Sequence, residues 1–207
     1  MKIKVCGLNN VENIKKIIDC RPDYVGIIFY EKSARYAGNV DDEFIKSKFE
    51  TVIKTGVFVN EKNEVIKSKI KEYNLSAVQL HGEETTDQCQ ELKATGIEVI
   101  KAFSIENNFN FDVCKRYEKH CDKFLFDTKC KGYGGSGQKF NHEILKNYQL
   151  QTPFLISGGI SLEDISSIMK LNLKQLTGID LNSKFEITPG IKDVEKIKAA
   201  IKKTINQ

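Results

Sequence analysis

The sequence alternates eight short apolar runs with eight segments whose apolar residues follow helical spacing. Strands that are apolar on both faces and separated by helices pair in parallel through right-handed crossovers. Eight such units are the number that closes a barrel, and 207 residues allow about 26 per unit. We therefore predict one α/β domain over residues 1–207, a single (β/α)8 TIM barrel with eight parallel strands. Because periodicity does not show closure, a doubly wound open sheet is the alternative.

The predicted strands and helices alternate strictly along the chain. The strands cover residues 2–6, 23–29, 52–59, 77–80, 97–102, 124–127, 153–156 and 176–180. The helices that follow them cover about 10–20, 41–49, 62–73, 84–94, 107–119, 141–148, 161–171 and 192–205. A short extra helical turn is expected between the eighth strand and Pro189-Gly190.

Composition and charge argue against nucleic-acid and membrane partners and against a metal site. The net charge is only +4, and the lysines are spread along helical segments instead of forming one basic patch, so we expect no nucleic-acid partner. The sequence has no apolar run near the roughly 18 residues of a membrane span and no signal-peptide pattern, so we expect no membrane partner. Six cysteines without a CxxC pair or metal-ligand spacing predict reduced thiols in the cytoplasm and no metal site.

Two strand ends carry groups that can move protons, and barrel enzymes place their chemistry at these ends. The sixth strand ends at Asp127 and opens into a glycine-rich loop, 128–137. A carboxyl group at a partly desolvated strand end can donate a proton to a sugar oxygen. The first strand ends at Cys6, followed by Gly7; a thiolate there can accept a proton if nearby cations lower its pKa from about 8.5. The alternatives are a solvated Asp127 and a Cys6 that only fills space in the core.

Other strand ends carry groups that suit anions. Ser157-Gly158-Gly159 leads into the seventh helix, where free N–H groups and the positive helix end can hold a phosphate. The eighth strand ends in Asp180-Leu181-Asn182-Ser183, and the loops after strands seven and eight are the usual phosphate cradle of this fold. The alternative for the two glycines is a tight turn.

Two further polar residues follow the second and fourth strands. Arg35 offers a planar fork that matches a carboxylate, and His81 can hydrogen-bond to neighbouring groups. Their alternatives are a surface arginine and a structural histidine.

Seven motifs, in order and almost from end to end, resemble those of the phosphoribosylanthranilate isomerase family. They are KVCGL at 4–8, DYVGIIFYEKSARY at 23–36, GVFVNE at 56–61, VQLHGEE at 78–84, FDTKCKGYGGSG at 126–137, SGG at 157–159 and PGIKD at 189–193. The resemblance implies a cofactor-free enzyme of tryptophan biosynthesis. Its reaction is the Amadori rearrangement of N-(5'-phosphoribosyl)anthranilate to 1-(2-carboxyphenylamino)-1-deoxyribulose 5-phosphate.

The resemblance also implies residue roles. Asp127 is the general acid that opens the furanose ring, and Cys6 is the general base that removes the C2' proton. Arg35 faces the anthranilate carboxylate. Five residues fall on the phosphate-binding loops: Gly158, Gly159, Asp180, Asn182 and Ser183. Together with these, we expect His81, at the end of the fourth strand, to be a substrate-binding residue. The expected partner is a small phosphorylated molecule, and the expected assembly is a monomer or a homodimer.

Two segments depart from the family pattern. The arginine loop reads Ser33-Ala34-Arg35 where the family often has a proline in the middle, which predicts a looser loop. The eighth-strand segment reads DLNSKFE where DVSSGVE is common, so Asn182 and Lys184 replace a serine and a glycine. Lysine is less suited than glycine to a positive φ, and Lys184 could therefore alter the phosphate site.

Three rival functions fit the same barrel less well. The histidine-pathway isomerase performs the same rearrangement, but its first strand would end in Asp instead of Cys6. Indole-glycerol-phosphate synthase would call for a catalytic lysine and an additional N-terminal segment. A non-catalytic phosphate-binding barrel would not need both Cys6 and Asp127.

Overall fold

The computed structural model describes residues 1–40, 42–128 and 140–205, and its first eight strands close in sequence order into one parallel barrel. This closure confirms the predicted (β/α)8 barrel over the open sheet. The strands are β1 Lys2–Cys6, β2 Tyr24–Ile28, β3 Ile53–Phe58, β4 Ala77–Leu80, β5 Glu98–Ile105, β6 Lys123–Thr128, β7 Phe154–Ile156 and β8 Leu176–Leu181.

Helical segments follow every strand, as predicted. The α-helices are α1 Val11–Asp19, α2 Glu43–Lys46, α3 Asn63–Glu72, α4 Thr86–Lys93, α5 Asp112–Lys115, α6 Asp164–Lys170 and α7 Val194–Ile205. A 3₁₀ segment, His142–Asn147, lies between β6 and β7 in place of an α-helix. None of the helices in the described ranges is long and apolar enough to cross a membrane.

Two helices are much shorter than predicted. The second stops at Lys46 because Ser47 adopts an extended conformation and because Nζ of Lys54, reaching from β3, bonds to the carbonyl oxygens of Ile45 and Ser47. A lysine that takes up these carbonyl groups replaces the helical bonds a longer helix would make.

The fifth helix also begins late, five residues after its predicted start. Before it, Phe109 and Phe111 pack edge-to-face against each other and against Phe126 of β6. Aromatic packing against the barrel therefore overrides the local helical preference of this segment.

The segment after β8 contains one expected and one unexpected element. The predicted extra turn is a 3₁₀ segment, Ser183–Phe185. It is followed by an antiparallel hairpin of β9 Glu186–Thr188 and β10 Ile191–Lys192, which the sequence analysis missed because both strands are too short to show alternation.

The barrel interior has an apolar layer and, nearer the carboxyl ends of the strands, a polar layer. This layering positions the site. Tyr24, Ile100, Ala102, Leu125 and Leu155 form the buried apolar layer. Alternate residues of a strand share a face, so Asp127 lies above Leu125 on the inside of the barrel. The buried polar residues Lys4, Gln79, Asp127, Ser157 and Asp180 fill the upper layer. A polar layer at the carboxyl ends of the strands is where a barrel enzyme binds its substrate.

Lys101 of β5 and Glu84, which follows β4, form a buried ion pair whose loss should destabilise the protein. The ammonium group of Lys101, on β5, donates to Glu84 Oε2 at 3.1 Å and to the carbonyl oxygen of Gly82 at 2.7 Å, and both side chains are at most 3% exposed. Replacing Lys101 by Met leaves a buried carboxylate unpaired, so we expect the free energy of unfolding to fall by about 3–5 kcal/mol. Urea denaturation measures the change.

The matched control is Lys67→Met, which breaks a half-exposed lysine–glutamate pair with Glu91. We expect this control to lose less than about 1 kcal/mol, as exposed pairs do. Equal losses in the two variants would contradict the account of the buried pair.

Candidate active site

Cys6 ends β1 on the inside of the barrel, as predicted, and its thiol is almost fully buried. A Cβ atom on Gly26, the neighbouring position of β2, would lie 2.7 Å from Cys6 Sγ, so the glycine makes room for the sulfur. Burial raises the pKa of the Cys6 thiol; the ammonium groups of Lys4 and Lys192 oppose this shift, and Asp180 adds to it. Cys6 is therefore a buried thiol with two cations close enough to stabilise its thiolate.

Lys4 and Asp180 form a buried ion pair beside Cys6. They are register partners on β1 and β8, and Lys4 Nζ lies 3.0 Å from Asp180 Oδ1. The hydroxyl group of Ser157 donates to the other carboxylate oxygen at 3.4 Å. Burial acts to lower the pKa of Lys4, but the charges of Asp180 and Cys6 outweigh it and raise the pKa overall. Lys4 is thus held in its charged form at neutral pH.

Asp127 lies near the end of β6, with one carboxylate oxygen fixed and the other facing a histidine. Its Oδ1 accepts from the Thr128 N–H at 2.9 Å, and its Oδ2 lies 3.3 Å from His81 Nε2. His81 Nδ1 lies 2.8 Å from the Gln79 amide nitrogen. The predicted acid and the predicted histidine are therefore neighbours, and Gln79 fixes the imidazole from its other side.

The thiol and the carboxyl group lie at the same end of the barrel. Going the shorter way round, β1 and β6 are separated by β7 and β8, and Asp180 of β8 lies between them. Asp180 interacts electrostatically with Cys6 on one side and with Asp127 and His81 on the other. The Cys6 thiol and the Asp127 carboxyl group thus border one space at the mouth of the barrel.

The predicted phosphate residues lie together at the ends of the adjacent strands β7 and β8. Gly158 and Gly159 have φ values of +93° and +63°, in the left-handed region that glycine tolerates. A Cβ atom on Gly158 would lie 2.1 Å from Thr128 Oγ1, so the turn packs directly on the end of β6. Asn182 and Ser183 follow β8.

Two expectations about this phosphate region need correction. The helix after Gly159 begins at Asp164 instead of Ser161, because the Asp164 carboxylate accepts from the N–H and the hydroxyl group of Ser161 in a turn. The positive end of this helix therefore does not adjoin the two glycines. Lys184 lies within the 3₁₀ segment and is not one of the non-glycine residues with positive φ in the described part of the chain, so it carries no left-handed strain.

Arg35 is not the surface arginine of the alternative interpretation, since only 13% of its side chain is exposed. Its Nε donates to Glu186 Oε1 at 2.8 Å and its Nη2 to Glu186 Oε2 at 2.7 Å. Burial alone would raise the pKa of Glu186, but the hydrogen bonds from Arg35 and the Lys192 ammonium hold that pKa at about 2. Arg35 and Glu186 are therefore a fixed, fully ionised pair.

Lys192 connects this pair to the phosphate region. Its Nζ donates to Glu186 Oε1 at 2.6 Å and to Asn182 Oδ1 at 2.7 Å. Burial lowers the pKa of Lys192 to about 8, although Glu186 acts in the opposite direction. The carboxylate-binding candidate and the phosphate-binding candidate thus share one buried lysine.

Sequence reasoning missed four residues of this site: Lys4, Gln79, Glu186 and Lys192. Three lie inside quoted motifs, and Glu186 lies in the DLNSKFE segment. The available signal was a charged residue within a buried strand, since such a residue needs a partner. The partners themselves depend on cross-strand register. The predicted glycine-rich loop falls mostly within 129–139, outside the described residues.

Comparisons with known proteins give one family. The sequence matches the profile described as N-(5'phosphoribosyl)anthranilate (PRA) isomerase over residues 3–203. A relative from Phocaeicola vulgatus, named N-(5'-phosphoribosyl)anthranilate isomerase, is 45% identical over 207 residues, covering 100% of this chain and 97% of the relative.

Solved structures agree with this family. The structure of monomers of the dimeric phosphoribosylanthranilate isomerase from Thermotoga maritima is 30% identical, has a TM-score of 0.82 and covers 100% of both chains. A phosphoribosylanthranilate isomerase in complex with reduced 1-(o-carboxyphenylamino)-1-deoxyribulose 5-phosphate is 30% identical, has a TM-score of 0.79, and covers 98% of this chain and 97% of that one. The resemblance of the seven motifs is confirmed, and the chain belongs to the N-(5'-phosphoribosyl)anthranilate isomerase family.

Proposed function

We propose that the chain catalyses the Amadori rearrangement of N-(5'-phosphoribosyl)anthranilate in tryptophan biosynthesis, with Asp127 as general acid and Cys6 as general base. Family membership supports the reaction. The observation that carries the assignment of residues is that Cys6 of β1 and Asp127 of β6 lie on either side of Asp180 of β8, at the end of the barrel where substrates bind.

Ring opening is the step assigned to Asp127. The carboxylic acid gives its proton to the furanose ring oxygen, the C1'–O bond breaks, and the anilino nitrogen supplies the electron pair that forms the Schiff base. The Thr128 N–H holds one carboxylate oxygen, so the other is directed toward His81 and the barrel mouth. A positioned acid of this kind contributes about 10²–10⁴-fold to the rate.

Proton removal from C2' is the step assigned to Cys6. The thiolate takes the proton, the electron pair forms the C1'–C2' double bond, and the Schiff-base nitrogen becomes the enolamine nitrogen. Protonation at C1' and loss of the C2' hydroxyl proton then give the ketone. Lys4 and Lys192 are the cations that stabilise the thiolate in a buried position.

The remaining residues hold the two charged ends of the substrate. We assign the anthranilate carboxylate to Arg35 and the phosphate to the N–H groups of Gly158 and Gly159 and to Asn182 and Ser183. Asp180 is better assigned to the buried pair with Lys4 than to phosphate contact, because its carboxylate already faces that ammonium group. Binding at both ends fixes the sugar carbons between the acid and the base, which lowers the barrier to proton transfer.

The same proposal covers compartment and assembly. Reduced thiols and a phosphorylated substrate suit the cytoplasm. The assembly is a monomer or a homodimer, and a related isomerase has been solved as monomers of a dimeric enzyme.

The direct test mixes purified protein with freshly generated phosphoribosylanthranilate and follows the loss of its fluorescence. We expect turnover with a kcat/KM in the ordinary enzyme range, about 10⁴–10⁸ M⁻¹s⁻¹. The histidine-pathway substrate serves as the specificity control and should react far more slowly. Binding of the phosphorylated substrate without turnover would instead favour a non-catalytic barrel.

A further inference from the structure

The guanidinium group of Arg35 is bound along one edge only. Its side-on pair with Glu186 uses the Nε–H and one N–H of Nη2. Among the described residues, no other acceptor contacts this guanidinium group, so the Nη1/Nη2 edge remains available. A guanidinium group has five N–H donors in a rigid fork, and two edges can hold two carboxylates at once. Glu186 and a substrate carboxylate can therefore share Arg35 without competing.

The surrounding contacts fix the orientation of this fork. Glu186 Oε1 also accepts from Lys192 Nζ and from the Gly190 N–H at 3.0 Å, so the carboxylate cannot turn away from Arg35. A Cβ atom on Gly7 would lie 2.6 Å from Arg35 Cδ and 2.9 Å from Asn182 Oδ1, so both side chains cross the backbone next to Cys6. The arginine stem is thereby confined between Gly7 below and Glu186 at its tip.

Charge and hydrogen bonding both fit a ligand that carries a carboxylate at one end and a phosphate at the other. Arg35 and Lys192 carry two positive charges against the one negative charge of Glu186, which leaves one positive charge for the substrate carboxylate. Lys192 also holds Asn182 by its amide oxygen, which leaves the Asn182 amide N–H groups for the phosphate. The asparagine that replaces the common serine is thus fixed with its donor side free.

We propose that Glu186 is a positioning residue that presents the free edge of Arg35 to the anthranilate carboxylate. Lys192 then connects the Arg35–Glu186 pair to the phosphate site through Asn182. This inference rests on the proposed function and names the residues that orient its two anion sites. The alternative is that Glu186 competes with the substrate carboxylate for Arg35. A competing glutamate would weaken substrate binding, whereas a positioning glutamate strengthens it.

The test compares two inhibitors in Glu186→Gln and in the parent. One is the reduced carboxyphenylamino-deoxyribulose 5-phosphate, and the other is its phenylamino analogue without the carboxylate. We expect the variant to lose about 10–100-fold in affinity for the first and less than about 3-fold for the second, because only the first uses Arg35. KM should rise by the same 10–100-fold factor, while kcat stays within about 3-fold.

Conservative and remote variants complete this test. Glu186→Asp keeps the charge and should recover part of the affinity for the carboxylate-bearing inhibitor. The exposed Glu195→Gln, which breaks a surface pair with Lys198, should leave both affinities unchanged. An equal loss for both inhibitors, or tighter binding of the carboxylate-bearing one, would overturn the positioning role of Glu186.

A second variant tests the link through Lys192. Both inhibitors carry the phosphate, so Lys192→Met should weaken both by about 10-fold or more. A loss confined to the carboxylate-bearing inhibitor would overturn the link to Asn182. A parent that neither binds these inhibitors nor turns over phosphoribosylanthranilate would instead count against the proposed function itself.

Discussion

Replacing Asp127 by Asn is expected to lower kcat/KM for phosphoribosylanthranilate by at least about 10³-fold. The amide keeps the size of the carboxyl group and can still accept from the Thr128 N–H, but it has no proton to give to the ring oxygen. The Schiff base then forms only by unassisted ring opening. The fluorescence assay measures the loss, and binding of the reduced product analogue should stay within about 3-fold of the parent.

The control for this variant is Asp112→Asn, on the exposed side of α5, where the carboxylate pairs with Lys115 in solvent. This variant should keep the activity of the parent. If Asp127→Asn retained more than a tenth of the parental kcat/KM, ring opening would have to depend on another acid.

The second large effect is expected for Cys6→Ser, which should lower kcat by about 10²–10⁴-fold. Serine fits the space over Gly26, but its hydroxyl group is a far weaker acid than a thiol, so no base forms at neutral pH. The control is Cys20→Ser. The Cys20 thiol donates to the Lys16 carbonyl oxygen at the protein surface, so this variant should keep the activity of the parent. A Cys6→Ser variant with parental kcat would remove Cys6 from the mechanism.

The same residue gives the parent an expected pH dependence. Burial raises the pKa of Cys6 above its ordinary value, so the thiolate is a minor species near neutral pH. The base must be deprotonated to act; kcat/KM should therefore increase as the pH is raised from about 6 to about 8. The Cys6→Ser variant should lose this rise, because serine does not ionise in that range.

The barrel was predictable because strands buried on both faces leave a strong signal in the sequence. All eight predicted strands are present, and their ends differ from the observed ones by only a few residues. The lengths of α2 and α5 were not predictable, since Lys54 of a later strand ends α2 and aromatic packing on β6 delays the start of α5. Both causes are tertiary contacts with a barrel strand, and such contacts override the local helical preference of a segment.

The strand-end positions of several candidate residues were predictable from the sequence, but the pairs that these residues form were not. The strand-end rule located Cys6, Asp127 and Asp180 because chemistry in this fold is confined to one face of the barrel. It did not pair Asp180 with Lys4, which requires the register of β1 on β8. It predicted hydrogen bonds from His81 to neighbouring groups but did not identify Asp127 as its neighbour.

The position of Arg35 also could not be predicted from the sequence. Its role in carboxylate binding was implied by its motif, but its position depends on Glu186, 151 residues later in the chain. The hairpin β9–β10 brings Glu186 and Lys192 to the site, and its strands are too short to be recognised from alternation. Support residues of this kind emerge only when side chains are placed in three dimensions.

The most direct test of the acid–base assignment is the kinetic isotope effect with substrate deuterated at C2', measured in both variants. In Cys6→Ser, removal of the C2' hydrogen should limit the rate, so the isotope effect should be at least as large as in the parent. In Asp127→Asn, ring opening should limit the rate, and the isotope effect should fall close to unity. The reverse pattern, a large effect in Asp127→Asn and none in Cys6→Ser, would contradict the roles assigned to the two residues.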